Sequence, residues 1–453
     1  MFKRIVSAVI AITMVMGMMC SCSESSSSEP ASPNSIISQP DTSDSPSSQP
    51  DAPSTNGDNI ELTANYSFAK APDNSSADAD FINGLNGFSA ELFKNAVKSD
   101  LEQGKNTLIS AESVAFALGM TANGAKGNTL KQMQDVMAGG VELDRFNKNM
   151  NLLISNTQKN NTEDSKLNIA NSVWVKDRED LVLTQQFAKN CKEIFNAEMF
   201  RAPFDNGTLN KLNGWVNEKT DKMIPKILEN FTGDEIMCLV NCIAFDSKWD
   251  KQYTDKQVRE DQKFTNFKGD RISCTMLCST EKNYVENGRA TGFVKNYKGG
   301  KYAFMAVLPN DNSIADYVSS MTKDEIAKLY AGKTSEDVIT KLPSFTYDYD
   351  CELSKTLSYM GMSDAFSNPD FTNLFEKGNA AISKVIHKTH IELDAKGTKA
   401  AAATVVTMKE AAIAIEPDET KQVILDRPFV YAIMDTETGL PVFMGTVCDP
   451  SVS

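Results

Sequence analysis

The residues able to do chemistry are few, and their spacing works against it. There are only two histidines, His387 and His390, three apart in KVIHKTHIEL. That segment alternates as a strand does, and residues three apart on a strand face opposite ways, so the two rings cannot share a metal. Cys238/Cys242 and Cys274/Cys278 have better ligand chemistry for zinc. Cys238 and Cys242, however, lie inside the nearly continuous apolar run Ile236 to Phe245, where thiols serve as small hydrophobes. No metal is expected. A serine hydrolase needs a nucleophile beside a base. No G-x-S-x-G occurs, and Gly361-Met362-Ser363-Asp364-Ala365 is only a partial echo in a helix-end turn. A phosphate-binding P-loop, a dinucleotide fingerprint and H-E-x-x-H are all missing. The pattern disfavours an enzyme and implies no cofactor.

One segment near the C-terminus asks for a different explanation. GTKAAAATVVTM, Gly397 to Met408, joins four alanines that favour helix to a Thr-Val-Val-Thr run that favours strand. As a strand it sorts into two faces. Thr398, Ala400, Ala402, Thr404, Val406 and Met408 form an uncharged, mostly small set. Lys399, Ala401, Ala403, Val405, Thr407 and Lys409 carry both charges. Such a strand can slide between two others with one face to a core and the other to water. Alanine also tolerates loop and helix, so the segment need not be a strand at all times. An ordinary edge strand beside an Ala-rich loop fits the same parity.

The elements that would position this segment follow from the rest of the chain. Lys3 and Arg4 precede an apolar run from Ile5 to Met19, the shape of a secretory signal and short for a membrane span. Cys20 and Cys22 close it. The arrangement resembles a bacterial lipoprotein signal over 1–22, and Ser21 before it makes Cys22 the better acylation site than Cys20. Residues 23–76, rich in Ser, Pro, Asp and Asn, read as a disordered tether. Residues 77–453 are continuous, without repeats, and long enough to bury a large core. The formal charge is −14, and loss of Lys3 and Arg4 makes it −16, a poor balance for binding nucleic acid. An exported, cell-surface monomer, bound to a membrane only through its lipid, is expected. Seven cysteines remain after Cys20 and Cys22. An odd number cannot pair completely, which suggests buried thiols or an anaerobic setting.

Apolar spacing predicts helices over 80–101, 113–120, 130–136, 209–228 and 353–360. It predicts strands over 167–175, 236–245, 302–308, 338–342, 381–393, 422–425, 429–435 and 441–447. Helices come early and strands late, so the class is α+β.

Several short motifs share an order. They are Asn106-Thr107-Leu108-Ile109-Ser110 with Ser113, Gly124 to Thr129, Ala170-Asn171, Leu212-Asn213-Gly214-Trp215-Val216 with Thr220 and Ile224, and Leu239-Val240-Asn241 with Phe245 and Trp249. Leu342-Pro343-Ser344-Phe345, His387-Lys388, Asp426-Arg427-Pro428-Phe429 and Phe443-Met444-Gly445 follow. In this order and spacing the chain resembles the serpins over most of 77–453. The resemblance implies three β-sheets, eight or nine helices and an exposed reactive loop, here about 394–424. It implies suicide inhibition of serine proteases: the loop is cut, an acyl-enzyme forms, and the freed hinge inserts into the main sheet. The hinge would be Gly397, Thr398, Lys399, Ala400, Ala401, Ala402, Ala403 and Thr404. Ser110, Ser113, Asn241, Trp249 and His387 would sit beneath the strands that part. Counting fifteen residues from Gly397 puts the bait bond between Ala411 and Ala412, with Met408, Ala412 and Ile413 as alternative cut sites. A small residue there suits elastase-like proteases. A non-inhibitory binding module and a cross-class inhibitor of papain-like cysteine proteases are the alternatives. Three positions depart from the family pattern: Ala111 for proline, Ala395 for glutamate and Lys399 for glutamate.

Overall fold

The computed structural model describes residues 8–17, 60–73, 75–311, 313–378, 380–398 and 420–452, and for Ala8–Gly17 it gives the backbone path. The main sheet has eight strands: β1 (Ala8–Gly17), β2 (Ile60–Glu61), β3 (Ser165–Lys176), β4 (Glu198–Ala202), β5 (Glu235–Lys248), β6 (Phe345–Glu352), β7 (Ala381–Leu393) and β8 (Gly397–Thr398). Across the sheet run β6, β7, a column shared by β8 and β1, then β5, β3, β4 and β2. All neighbours are antiparallel except β3 and β4.

The long apolar run forms β5 because it is buried on both faces. Leu239, Ile243 and Phe245 face the large core. Cys238, Val240, Cys242 and Ala244 face a second cluster under Leu209, Leu212 and Val216. Those three lie on α6 (Asn206–Lys219), which covers the outer side of the sheet. Before it come α1 (Ala79–Glu102), α2 (Ala111–Ala122), α3 (Gly127–Ala138), α4 (Leu143–Asn160) and α5 (Gln185–Phe195), and four helices of at most seven residues follow. The described residues therefore hold ten α-helices rather than eight or nine. A six-stranded sheet includes the hairpin Phe429–Asp435/Pro441–Val447, and a four-stranded sheet ends on Lys421–Ile424, parallel to Val338–Pro343. A small two-stranded pairing completes the set. The fold is that expected of the family: α+β, with three main sheets.

Three departures from the sequence expectation change what the elements do. The helix expected over 209–228 ends at Lys219, because Asp221 and Lys222 take positive φ and Pro225 follows. Residues beyond it are held instead by Asn213, which accepts from Ile227 N at 2.8 Å and donates to Leu228 O at 2.9 Å. The body begins earlier than 77: Ile60–Glu61 pairs with β4, and Leu62 N donates to Met199 O at 2.7 Å. Ala8–Gly17, expected to lie outside any fold, is a strand of the main sheet. Uncharged and rich in Val and Ile, it suits a central strand.

Candidate functional site

The hinge starts as a tight turn. Asp394 Oδ1 accepts from Lys396 N at 2.7 Å and Gly397 N at 3.2 Å, and Asp394 N donates to Gly397 O at 3.0 Å. This Asx geometry turns β7 back on itself and delivers β8 into the sheet. Gly397 then pairs with Lys248, and Thr398 with Ser247 on one side and Leu393 on the other. Only glycine fits at 397: an added Cβ would stand 2.2 Å from Ser247 O and 2.7 Å from Lys248 Cα. Thr398 is fully buried, and its hydroxyl lies 2.6 Å from the hydroxyl of Tyr297. Thr398, the first of the uncharged set in the alternation, thus sits on the core side.

An aromatic floor receives it. Tyr297 stacks on Trp249 at 4.5 Å and meets the edge of Phe245 at 4.9 Å. Trp249 Nε1 donates to Asp394 O at 2.9 Å, and its backbone N donates to Lys396 O at 2.9 Å, so this residue anchors the turn. Lys295, 4% exposed, lies 4.4 Å from the Tyr253 ring and 5.6 Å from that of Trp249, and pairs with Glu281 at 2.7 Å. Burial pushes the Tyr297 phenol far up, so it stays a neutral donor.

Lower in the sheet the four polar residues singled out in the sequence meet. Ser110 caps α2, and its Oγ accepts from Ser113 N at 3.1 Å. Ala111 is the first helical residue, where proline and alanine are both tolerated. Ser113 Oγ donates in a short hydrogen bond to Asn241 Oδ1. Ser110 N donates to His387 Nε2 at 3.2 Å. Asn241 Nδ2 donates to Asn171 Oδ1 at 2.7 Å, and Asn171 reaches Phe195 O at 2.7 Å. All are 2% exposed or less. Burial pulls the His387 imidazole down to about 3, so the ring is neutral, and its Nδ1 has no partner among the described residues. His390 is not part of this cluster; it bonds Asp348 through Nδ1.

The register carries further than the strand. Continued one residue at a time, β8 would put Ala400 opposite Phe245, Ala401 opposite His390, and Thr404 between Asn241 and His387. Ala8, Val9 and Ile12 of β1 stand at those positions. The column therefore runs from the hinge down to the polar cluster without a change of phase. Lys399 to Thr404, Ala411, Ala412, Cys20 and Cys22 lie outside the described residues.

The family model described as Serpin (serine protease inhibitor) matches residues 83–450. This chain is a serpin. Members of the family are in general protease inhibitors rather than enzymes. An uncharacterized serpin-like protein of Methanosarcina acetivorans is 29% identical over 384 residues, covering 82% of this chain and 86% of its own. The thermophilic serpin tengpin in the native state superposes with a TM-score of 0.76 at 36% identity, over 86% of this chain and 99% of its own. The same serpin in the latent state gives 0.72 at 35%, over 83% and 99%.

Sequence reasoning missed two members of this serpin's site. Tyr297 gives no signal, since a lone tyrosine after β-type residues reads as core. Asn171 was visible only as half of Ala170-Asn171, with nothing to join it to Asn241. Cys238 and Cys242 are buried and their thiols are pushed far up, and among the described residues no group of three or more His, Cys, Asp or Glu stands together.

Proposed function

We propose that this serpin traps serine endopeptidases of elastase-like specificity by loop insertion. The observation that carries the proposal is β8: the first hinge residues already lie between β5 and β7, with an uncharged threonine buried on the core side. Cleavage beyond the hinge would free 399–409 to continue that strand. About ten new ladder hydrogen bonds at about 0.5–1.5 kcal/mol net give on the order of 10 kcal/mol, ample to make insertion one-way. Loop insertion as a store of strain is a known device of the family. Ala411 before the bait bond suits a shallow specificity pocket. Export through the 1–22 signal, with acylation at Cys22 (or Cys20), would place the inhibitor at the cell surface on a tether.

The test is direct. The exported protein is incubated with pancreatic elastase and resolved after boiling in detergent. A covalent complex, with the released fragment beginning at Ala412, is the expected result. Complete cleavage with no complex would remove the inhibitory function and favour a binding module.

A further inference from the structure

The column between β5 and β7 is filled by the chain's own start. Ala8–Gly17 pairs antiparallel with β5 from Ala8↔Phe245 to Gly17↔Glu235, and with β7 from Val9↔His390 to Gly17↔Ala381. Among the described residues β8 contributes Gly397 and Thr398. Without β1, the edges of β5 and β7 would lack ladder partners along this length or would have to close on each other.

We infer that Ala8–Gly17, while still attached, occupies the insertion column and holds the chain in a filled form unable to accept its loop. The inference rests on the loop-inserting function proposed above and adds a control on it. Three observations carry it. The strand is in register with β8 on both sides, so it occupies the positions that Ala400 to Met408 would need. Its sequence, AVIAITMVMG, has no charge and no proline, as a strand between two others requires. Its length carries it past Asn241 and His387 to the far end of both neighbours. The two segments compete for one place. Removal of residues 1–21 during export would vacate it, and the inhibitor would become competent only once outside.

The experiment uses the full chain, made without export so that its start is retained. A double variant, Ile10→Pro with Thr13→Pro, deletes two ladder donors opposite Ile243 and Val240. Hydrogen exchange reads the amides of 8–17, and thermal unfolding is compared before and after elastase cuts the loop. In the parent chain, exchange at 8–17 should be slowed at least about 100-fold, and cutting should leave Tm within a few degrees. In the variant, exchange should be fast, and cutting should raise Tm by roughly 10 °C or more. Unprotected amides in the parent chain, or an equal rise in Tm for both proteins, would overturn the inference. A detergent-stable complex from the variant alone supports both proposals. A variant that gains heat resistance without forming a complex defeats the trapping function and leaves the occupied column standing.

Discussion

Replacement of Thr398 by arginine tests whether the hinge parity drives trapping. The side chain at 398 has no access to water, and its hydroxyl is paired with Tyr297 at 2.6 Å. Thr398→Arg loses that hydrogen bond, about 1 kcal/mol, and leaves the Tyr297 hydroxyl buried without its partner. It also asks a guanidinium to enter an aromatic floor whose carboxylate, Glu281, is already paired with Lys295. Burial of an unpaired ion costs several kcal/mol, so the total is on the order of 5 kcal/mol. Thr398 is already seated in the sheet, so the substitution expels the hinge, and at 1.4 kcal/mol per tenfold its re-entry slows by about 10³-fold or more. The whole insertion, on the order of 10 kcal/mol, remains downhill. Two outcomes therefore separate. The exported variant should be cut by elastase as a substrate, with its detergent-stable complex reduced to a trace. The nicked product should still become more heat-resistant over hours, because the endpoint is favourable. Thr398→Val, which keeps the burial and loses only the hydroxyl, should retain most of the complex. If Thr398→Arg trapped elastase at the parent level, trapping would not need position 398 seated in the sheet and the parity argument would fail.

Three further predictions rest on the same structure. Glu112, in the first turn of α2, is 5% exposed, and burial together with nearby Asp435 pushes its carboxyl up to about 8. A raised folded value means the contribution is full below about 4.5 and lost as pH rises through 8, so Glu112→Gln should add on the order of 4 kcal/mol of stability at pH 9 and little at pH 4, read by denaturant unfolding. Gly397→Ala meets Ser247 O and Lys248 Cα with no room to yield, so the hinge should leave the sheet; destabilisation by about 1–3 kcal/mol and a reduced complex are expected. Cys191, Cys238 and Cys242 are buried and their thiols pushed far up, whereas half-buried Cys274 is raised to about 11. Iodoacetamide on the native protein should leave the first three unmodified and label Cys274 about tenfold faster per pH unit up to that value, with all seven labelled once unfolded.

Much of this fold was legible because its signals are local. The strand over Ala381–Leu393 and both arms of the last hairpin were expected to the residue, since alternation and the turn Thr436 to Gly439 bound them. Helices α4 and α5 were not anticipated. Asparagine and lysine dominate α4, although Phe146, Met150, Leu153 and Ile154 do recur at helical steps. The strands Val258–Thr265 and Arg271–Glu281 escaped for a different reason. Their outer positions are charged, and the pairing between them, not apolar content, makes them strands. The polar cluster was expected from residue types in a known order, but its contacts span 70 to 277 residues and no local pattern encodes them. The strand Ala8–Gly17 was hidden most completely. An apolar stretch behind two positive charges reads first as a signal, and only the open ladder edges of β5 and β7 reveal a second use for it.

In the trap proposed above, the polar cluster would let the same column be opened and filled. A wholly apolar floor would hold β5 and β7 together or apart by packing alone, and packed cores change in discrete steps. Here Ser110 and Ser113 on α2 bond one residue from each neighbour, His387 from β7 and Asn241 from β5. The helix thus supplies partners to both strands independently of what lies between them. His387 remains neutral far below neutral pH, so no charge is stranded when the strands part. Its Nδ1, which carries the hydrogen because Nε2 accepts from Ser110 N, has no partner among the described residues, and the register row at that level is held by Ile12. A threonine in that row brings a hydroxyl that isoleucine does not have, and β8 continued in register would bring Thr404 there. In that trap the column would therefore discriminate between its two occupants. Either closes the ladder, but in the insertion proposed above only the loop would bring a hydroxyl oxygen able to accept from Nδ1–H, which favours the loop once cleavage lets it reach.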